Sequence, residues 1–234
     1  MNYNLTPIQT RQLIFLILAI IVSIFFSLDG QQWFTLETLK QNREDLLSYV
    51  DQYFLTVFLS SGLLYITMTA LSLPGGTILS LALGLLFGRW LGAFLIIISA
   101  SIGATLVFLL ARYLIADWAR AKLQENEQAV KLLNGFQTDA FNYLLFLRLV
   151  PLFPFWLVNL VPAFTSVSIH TFITTTLLGI IPGSFVFANL GQSLGQIDNA
   201  GQLLSMPVLF ALSLLGVFSL APVLQKKYKL MSKK

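Results

Sequence analysis

Long stretches without a single charged side chain dominate this sequence. Aspartate, glutamate, lysine and arginine are absent from residues 12–28, 52–88, 90–111, 149–197 and 199–225. Charged residues make up 10% of the chain, whereas a soluble domain carries about 25%. This pattern excludes a soluble globular fold, a nucleic-acid-binding protein and a disordered chain. Continuous apolar runs also exclude a transmembrane β-barrel, whose strands alternate in polarity. We therefore predict an all-α polytopic membrane protein.

Four apolar stretches have about the length of a single membrane span. A helix needs about 20 apolar residues to cross the hydrocarbon core, and residues 13–28, 90–111, 169–190 and 204–224 come close to this length. The first is followed by no small-residue cleavage site, so we interpret it as an uncleaved anchor and not as a signal peptide. The sequence thus predicts four full transmembrane helices.

The stretch 52–88 is too long for one span and too short for two. Pro74, Gly75 and Gly76 interrupt it, and the piece that follows is too short to return across the membrane as a helix. Two half-depth helices that meet at this break, entering and leaving on one side, fit these lengths better. We expect a re-entrant hairpin, whose non-helical backbone has to be buried in protein or face water.

A second re-entrant hairpin is expected over residues 140–166, where Arg148 and three prolines interrupt an apolar stretch. Each half of the chain then has a broken hairpin followed by a span with closely spaced glycines. The two hairpins would enter the membrane from opposite faces. This order predicts an inverted repeat with its functional site near the middle of the membrane.

The distribution of charge predicts the orientation in the membrane. Arg11, the loop 112–139 and the lysine-rich end of the chain fall on one side, and the acidic segment 29–51 falls on the other. Because cytoplasmic loops carry an excess of lysine and arginine, we expect both termini to be cytoplasmic. Within the loop, residues 116–133 predict an amphipathic surface helix that is capped at Gly135.

The chain divides into three parts on this basis. Residues 1–50 are predicted to form an N-terminal anchor helix and an extracytoplasmic interfacial segment, with Thr35 and Thr38 as candidate helix caps. Residues 51–195 form a core that contains both hairpins. Residues 196–234 form a C-terminal transmembrane helix and a basic cytoplasmic tail.

Arg148 is the strongest single indication of function. A helix that enters the membrane at Asp139 would carry Arg148 to a depth of about 13 Å, where an arginine costs about 2.5–3.5 kcal/mol to insert. The side chain either binds carbonyls freed by the broken backbone or contacts an anionic substrate, and the sequence leaves both roles open. Arg112, in contrast, is expected to extend to the membrane interface. The other candidates for a translocation path lie in or beside the hairpins: Pro151, Pro154, Asn159, Pro74, Gly75, Gly76 and Arg89.

Small residues at helical spacing indicate where helices pack closely in the membrane. The candidates for packing or for a hinge are Gly84, Gly88, Gly92, Gly103, Gly179, Pro182, Gly183 and Gly191. The chain has no cysteine and one histidine, and no acidic cluster accompanies that histidine. We therefore expect no metal site, no cofactor and no enzymatic activity.

Several motifs, taken in order, resemble a known family. They are LPGG at 73–76, ALGLLFG at 82–88, FLRLVPLFPF at 146–155, Asn159 and LGIIPG at 178–183. The set is similar to the DedA superfamily of membrane proteins, whose shared region is called the VTT or SNARE-associated domain. It most resembles the branch that includes the yeast and vertebrate Golgi-type members and many bacterial paralogues. The resemblance covers the core, residues 51–195.

The resemblance implies two facing re-entrant hairpins and work on lipids. Eukaryotic relatives resemble energy-independent phospholipid scramblases, and some bacterial ones are linked to recycling of undecaprenyl phosphate and to proton-dependent homeostasis. The family's hairpin arginine corresponds to Arg148, and its following prolines correspond to Pro151 and Pro154. Two charged family positions are replaced here, by Gly76 and by Pro154, which argues against proton coupling.

Three functions are compatible with the sequence. The leading hypothesis is a bacterial inner-membrane protein that moves phospholipid or a lipid-linked phosphate between leaflets, with Arg148 attracting the phosphate. A secondary transporter of a small ion or solute is the second, although the charge-free stretches offer it no acidic residue. A non-transporting assembly protein is the third. Membrane lipids are the expected partners, a homo-oligomer is compatible with the sequence, and nucleic acid is not expected.

Overall fold

The computed structural model describes residues 6–125, 127–150 and 153–193. Within these ranges the chain consists of helices and contains no β-strand, which confirms the all-α prediction. The α-helices are α1 (Pro7–Ser27), α2 (Gly30–Trp33), α3 (Leu36–Gln41), α4 (Arg43–Ala70), α5 (Gly76–Leu114), α6 (Ala116–Gln124), α7 (Glu127–Leu149), α8 (Phe155–Leu160) and α9 (Ile169–Gln192). A 3-10 turn, Val161–Phe164, follows α8 directly.

Four helices in the described ranges are long and apolar enough to cross a membrane, which confirms a multi-pass membrane protein. They are Gln9–Ser27, Arg43–Ala70, Gly76–Leu114 and Ile169–Gln192. Residues 196–234, with the expected span 204–224, lie outside the described residues. Arg43–Ala70 has the length of a full span, where a half-depth helix was expected. The two re-entrant hairpins and the division into three parts therefore stay predictions.

Helix α5 folds back on itself at Gly88 and forms a helical hairpin. The backbone of Gly88 has φ 72° and ψ 178°, a combination that is essentially restricted to glycine. A Cβ added to Gly92 would lie 2.6 Å from the carbonyl oxygen of Leu83, whereas a straight helix separates residues nine apart by about 13.5 Å. We call residues 76–87 the short arm of α5 and residues 89–114 its long arm.

Helix α4 runs antiparallel to the short arm. A buried hydrogen bond of 3.0 Å joins the hydroxyls of Tyr65 and Ser80. Closer to the Gly88 turn, the rings of Phe58 and Phe87 meet edge to face with centroids 5.2 Å apart. Because Phe58 precedes Tyr65 while Phe87 follows Ser80, the two helices point in opposite directions.

The same helix runs parallel to the long arm. Gly62 faces Leu95, whose Cδ1 lies 3.0 Å from the position of a Cβ. Further along both helices, Gly103 contacts the Thr69 side chain. Helix α4, the short arm and the long arm therefore run up, down and up, which is the chain path of a hairpin followed by a span.

Helix α9 lies antiparallel to the long arm. The rings of Phe108 and Phe172 stack with centroids 4.2 Å apart, and Trp90 meets Phe185 edge to face at 5.2 Å. The Ser168 hydroxyl begins α9 by accepting a hydrogen bond from the Thr171 amide at 3.1 Å, as N-cap residues do. The helix then continues through Pro182 to Gln192.

The helix expected over residues 116–133 is divided differently. Helix α6 ends at Gln124, and α7 begins at Glu127 and continues through Gly135, so the prediction of a cap at Gly135 was wrong. The backbone leaves helical geometry at Asp139 instead, with φ −157° and ψ 84°. The Asp139 carboxylate accepts hydrogen bonds from the amide and the side chain of Asn142, at 3.3 and 3.0 Å. A capping carboxylate thus decides where the helix is interrupted.

Candidate functional site

Arg148 lies in the last turn of α7, directly before the break that precedes α8. Its aliphatic stem packs on α9 at Gly179, where an added Cβ would lie 2.7 Å from Arg148 Cβ and 3.2 Å from its Cδ. A side chain at position 179 would push the arginine away. Glycine therefore allows α7 to approach α9 closely enough for Arg148 to reach between helices.

Two neighbours hold the guanidinium of Arg148. Its Nη1 donates a hydrogen bond of 3.4 Å to Oδ1 of Asn159 on α8, which is long for such a bond. Its Cζ lies 4.8 Å from the ring centroid of Phe172 on α9, within the range of a cation–π interaction. Asn159 and Phe172 are both buried. Three separate helices, α7, α8 and α9, thus meet at this one side chain.

Three buried nitrogen donors at this site have no hydrogen-bond acceptor within the part of the chain that the structure describes. They are Nε and Nη2 of Arg148 and Nδ2 of Asn159. The salt bridges recorded over the same residues, Arg11–Asp117 and Lys122–Glu125, do not involve Arg148. Because all three nitrogens are donors, the site is suited to an anion.

Arg112 has a role that the sequence did not predict. Its Nε and Nη2 donate to the carbonyls of Ala163, Pro162, Thr165 and Val167 at 3.2, 3.3, 3.0 and 2.8 Å. The expectation that Arg112 extends to the interface was therefore wrong. The guanidinium fixes the turn between α8 and α9 to the long arm by binding four carbonyls of its irregular backbone.

Pro154 of the second hairpin lies in the described part of the chain, whereas Pro151 lies outside the described residues. Pro154 stands at the start of α8 with φ −57° and ψ 135°, and its carbonyl accepts from the amides of Leu157 and Val158 at 3.0 and 3.2 Å. Pro154 thus begins the helix that carries Asn159 to Arg148.

The first break lies between α4 and the short arm. Gly75 has φ 124°, and an added Cβ would meet Phe34 and Met68 at 3.2 and 3.3 Å. Pro74 is exposed, and Gly76 has no atom within 4 Å of the Cβ position. These three residues shape the turn, with Gly75 packed on Phe34 and Met68.

The structure does not bring Arg89 to Arg148. The backbone amide and Nε of Arg89 both donate to Oε1 of Gln192, at 3.1 and 3.2 Å. Gln192 ends α9, and the helical rise places it roughly 20 Å from Gly179. Arg89 is exposed beside the Gly88 turn and ties that turn to the end of α9.

The other small residues fall into two groups. Close backbone approach occurs at Gly84 against Ala188, at Gly191 against Leu81, and at the positions of Gly92 and Gly103 described above. Gly88 adopts its positive φ with open space around it, and Gly183, next to Pro182 in α9, also has no atom within 4 Å. Close packing thus requires glycine at the first group, and backbone conformation requires it at Gly88.

An apolar cavity of about 400 Å³ lies between α1 and the long arm. Its walls include Phe15, Leu18, Val107, Leu110, Leu114 and Leu160. Leu160 is the neighbour of Asn159 in α8, so the cavity adjoins the element that carries the partner of Arg148. In the described ranges, no three histidine, aspartate or glutamate side chains come together in a way that could hold a metal ion.

Comparison with known proteins gives the family. The sequence model of the VTT domain matches residues 73–193. Over 188 residues the chain is 31% identical to Transmembrane protein 41 homolog of Dictyostelium discoideum, covering 79% of this chain and 56% of the relative. Transmembrane protein 41B of Gallus gallus and of Homo sapiens are each 31% identical over 188 residues and 79% of this chain, which covers 69% and 64% of their lengths.

The chain spans little more than half of the Dictyostelium protein, and no solved structure matches it. The matched residues contain the first break, the α5 turn and the whole Arg148 site, including Asn159 and Phe172. Helices α1 to α4 precede the match. The chain therefore belongs to the VTT-domain family of multi-pass membrane proteins, the DedA superfamily that its hairpin motifs resemble.

Proposed function

We propose that this protein moves phospholipid or a lipid-linked phosphate between the two leaflets of a membrane. The observation that carries the proposal is a set of three buried donors, Nε and Nη2 of Arg148 and Nδ2 of Asn159, that have no partner among the described residues. Buried donors normally have partners, and leaving one unsatisfied costs about 1–3 kcal/mol. A phosphate oxygen that enters the site would satisfy these donors through charge-assisted hydrogen bonds.

The site is built in a way that favours release as well as binding. Within the described residues, the Arg148 guanidinium makes one long hydrogen bond and one ring contact, and these two contacts define its position. A carrier has to bind its cargo weakly enough to let it leave on the far side. An arginine with some of its donors already hydrogen-bonded to the protein meets this requirement better than an arginine on the surface.

The apolar cavity beside α8 supports a lipid over a small solute. Its walls belong largely to two helices that are apolar enough to span a membrane, so acyl chains are the molecules available to enter it. A headgroup at Arg148 and acyl chains along apolar walls would follow the amphipathic shape of a phospholipid. A soluble ion would use the donors but not the cavity.

We further propose that the transfer is passive and not enzymatic. Gly76 and Pro154 replace charged residues of the family, and the apolar stretches contain no acidic residue that could carry a proton. Transfer would then follow the lipid gradient. The alternative, a proton-coupled transporter of small solutes, would need an acidic residue in the apolar stretches to carry the proton. No observation favours an assembly protein.

The proposed location is the inner membrane of a bacterium, with both termini in the cytoplasm. Arg11 near the start of α1 lies 3.7 Å from Asp117 in α6, so the beginning of the chain and the segment after the long arm share one side. This arrangement agrees with the excess of basic residues expected there. Membrane lipids are the partners that the proposal requires.

The test is a scrambling assay with the purified chain in liposomes that contain a fluorescent phospholipid. A membrane-impermeant reductant bleaches the outer leaflet only, unless the protein exchanges lipid between leaflets. We expect complete bleaching with the wild type and a rate lowered about tenfold or more by Arg148→Gln. Arg43→Gln, an exposed arginine at the start of α4, is the matched control and should match the wild type. Bleaching equal to that of empty liposomes would refute the proposal.

A further inference from the structure

Two buried phenylalanine rings separate Arg148 from Arg112. The rings of Phe108 and Phe172 stack with centroids 4.2 Å apart and an interplanar angle of 21°. Arg112 Cζ lies 4.3 Å from the centroid of Phe108, and Arg148 Cζ lies 4.8 Å from that of Phe172. Since each ring turns one face to the other ring, each guanidinium covers the remaining outer face. The result is a four-membered stack, arginine–phenylalanine–phenylalanine–arginine.

One end of this stack is fixed. Arg112 binds the four carbonyls between Pro162 and Val167, and it lies one helical turn from Phe108 on the same face of the long arm. The Phe108 ring is fully buried. Together these contacts hold the ring against which Phe172 stacks, and they hold the turn from which α9 begins.

The other end has few constraints besides the ring. In the described part of the chain, Arg148 donates one side-chain hydrogen bond, from Nη1, and it is 3.4 Å long. The Phe172 ring is fully buried, and cation–π attraction is strongest when it is desolvated. A guanidinium that lies on a ring keeps its donors directed outward around its rim. The plane of the Phe172 ring therefore determines where Nε and Nη2 point.

We propose that Phe172, supported by Phe108 and Arg112, is a positioning residue that presents the unoccupied donors of Arg148 to the phosphate of a passing lipid. This inference rests on the function proposed above and adds the element that orients the arginine. The electron density on the face of the Phe172 ring, and not only the size of the side chain, then sets the rate of lipid transfer.

The test replaces Phe172 by 4-fluoro-, 3,4-difluoro- and 3,4,5-trifluorophenylalanine in the full chain. Fluorine withdraws electron density from the ring face and changes the size of the side chain little, so packing is preserved while the attraction for a cation falls. We expect the scrambling rate to fall stepwise and to be about three- to tenfold lower with three fluorines. The same series at Phe136, a buried ring of the same apolar cluster that meets Tyr143, should leave the rate unchanged.

A second variant tests the support of the stack. Arg112→Lys keeps the positive charge but cannot reach four carbonyls with one ammonium group. We expect faster hydrogen exchange at the amides of Thr165 and Val167, which now bond within the turn, together with slower scrambling. Unchanged scrambling in this variant, despite faster exchange, would overturn the role of Arg112.

The outcomes separate the inference from the proposed function. A rate that is constant along the Phe172 series, while Arg148→Gln still lowers the rate about tenfold or more, overturns the positioning role and leaves the proposed function standing. An equal fall along the Phe136 series also overturns it, because the effect would not depend on the arginine. If Arg148→Gln scrambles as fast as the wild type, the proposed function fails and the inference fails with it.

Discussion

Arg112 and Arg148 lie on opposite sides of the same stacked pair of phenylalanine rings, and their hydrogen-bond donors are used differently. Arg112 donates to four backbone carbonyls, whereas Nε and Nη2 of Arg148 have no partner in the described part of the chain. The donors of Arg112 are therefore used by the backbone of the fold, whereas Nε and Nη2 of Arg148 can bind a ligand. The five predictions below test this distinction and the helix packing that maintains it.

Asn159→Asp should slow lipid transfer by placing a competing carboxylate beside Arg148. The new carboxylate would lie about where Oδ1 now accepts from Arg148 Nη1, at 3.4 Å, and would pair with the guanidinium in competition with phosphate. We expect scrambling about tenfold slower than the wild type. Thermal unfolding in detergent should show a fold at least as stable, because the buried charge gains a counter-ion.

Asn159→Ala is the control for that substitution. It removes the acceptor without adding charge, and it should lower the free energy of unfolding by about 1–3 kcal/mol. An aspartate variant that scrambles at the wild-type rate would contradict the assignment of the Arg148 donors to the ligand.

Gly179→Ala should displace Arg148. The added Cβ would lie 2.7 Å from Arg148 Cβ, so α7 and α9 have to separate or the arginine has to move. We expect a loss of about 1–3 kcal/mol in unfolding free energy and slower scrambling. Gly183→Ala, four residues further along the same helix and with no atom within 4 Å, is the matched control. Equal stability of the two variants would show that the contact is not tight.

Gly84→Ala should loosen the crossing of α9 over the short arm. Its Cβ would lie 2.6 Å from Ala188 Cα, and closer still to the Ala188 carbonyl oxygen. Backbone cannot rotate out of the way as a flexible side chain does, so we expect a cost of about 1–3 kcal/mol. Gly76→Ala, in open space at the start of the same arm, should be neutral or stabilising by up to about 1 kcal/mol. Circular dichroism during thermal unfolding measures both.

Gly88→Ala tests the reversal of α5. With φ 72° and ψ 178°, any residue with a Cβ is strained there, at a cost of about 1–3 kcal/mol. No side chain or backbone atom lies within 4 Å of the Cβ position, so a loss of stability would come from conformation alone. A variant as stable as the wild type would mean that α5 does not turn at this residue.

Single-cysteine labelling tests the membrane topology on a favourable background, since the chain has no cysteine. Asp51→Cys and Trp90→Cys should react with an impermeant maleimide from outside the cell, and Glu125→Cys should react only after the membrane is opened. Ser72→Cys decides between hairpin and span. A re-entrant hairpin predicts slow reaction from either side, whereas reaction as fast as that of Glu125→Cys would show that α4 crosses completely.

Some features of the fold could be predicted because the signal is local. The charge-free stretches place the chain in a membrane, and the expected break at Pro74–Gly76 separates α4 from α5. Proline and glycine act on their own backbone, so their effect is visible without knowledge of what packs nearby. The helix break at Asp139 coincides with the expected start of the second hairpin at residue 140. The sequence did not predict that the Asp139 carboxylate accepts hydrogen bonds from Asn142 there.

The roles of the three hairpin-associated arginines depended on the tertiary structure. In sequence, Arg89, Arg112 and Arg148 each border an apolar stretch, and the expected mid-membrane depth of Arg148 was the feature that distinguished it. Arg112 reaches a carbonyl that is 51 residues away, and Arg89 reaches a side chain that is 103 residues away. Such pairings require α5 to reverse at Gly88 and α9 to pack antiparallel to the long arm.

The sequence by itself determined that the chain lies in a membrane, that a helix break falls at Pro74–Gly76, and that Arg148 would be costly to bury. Hydrophobic length and backbone restriction belong to each segment alone, which is why a sequence reveals them. The tertiary structure decided that, in the described part of the chain, Arg112 donates to four carbonyls while two nitrogens of Arg148 have no acceptor. That outcome depends on how many carbonyls and rings the folded chain brings within hydrogen-bonding and stacking distance of each guanidinium.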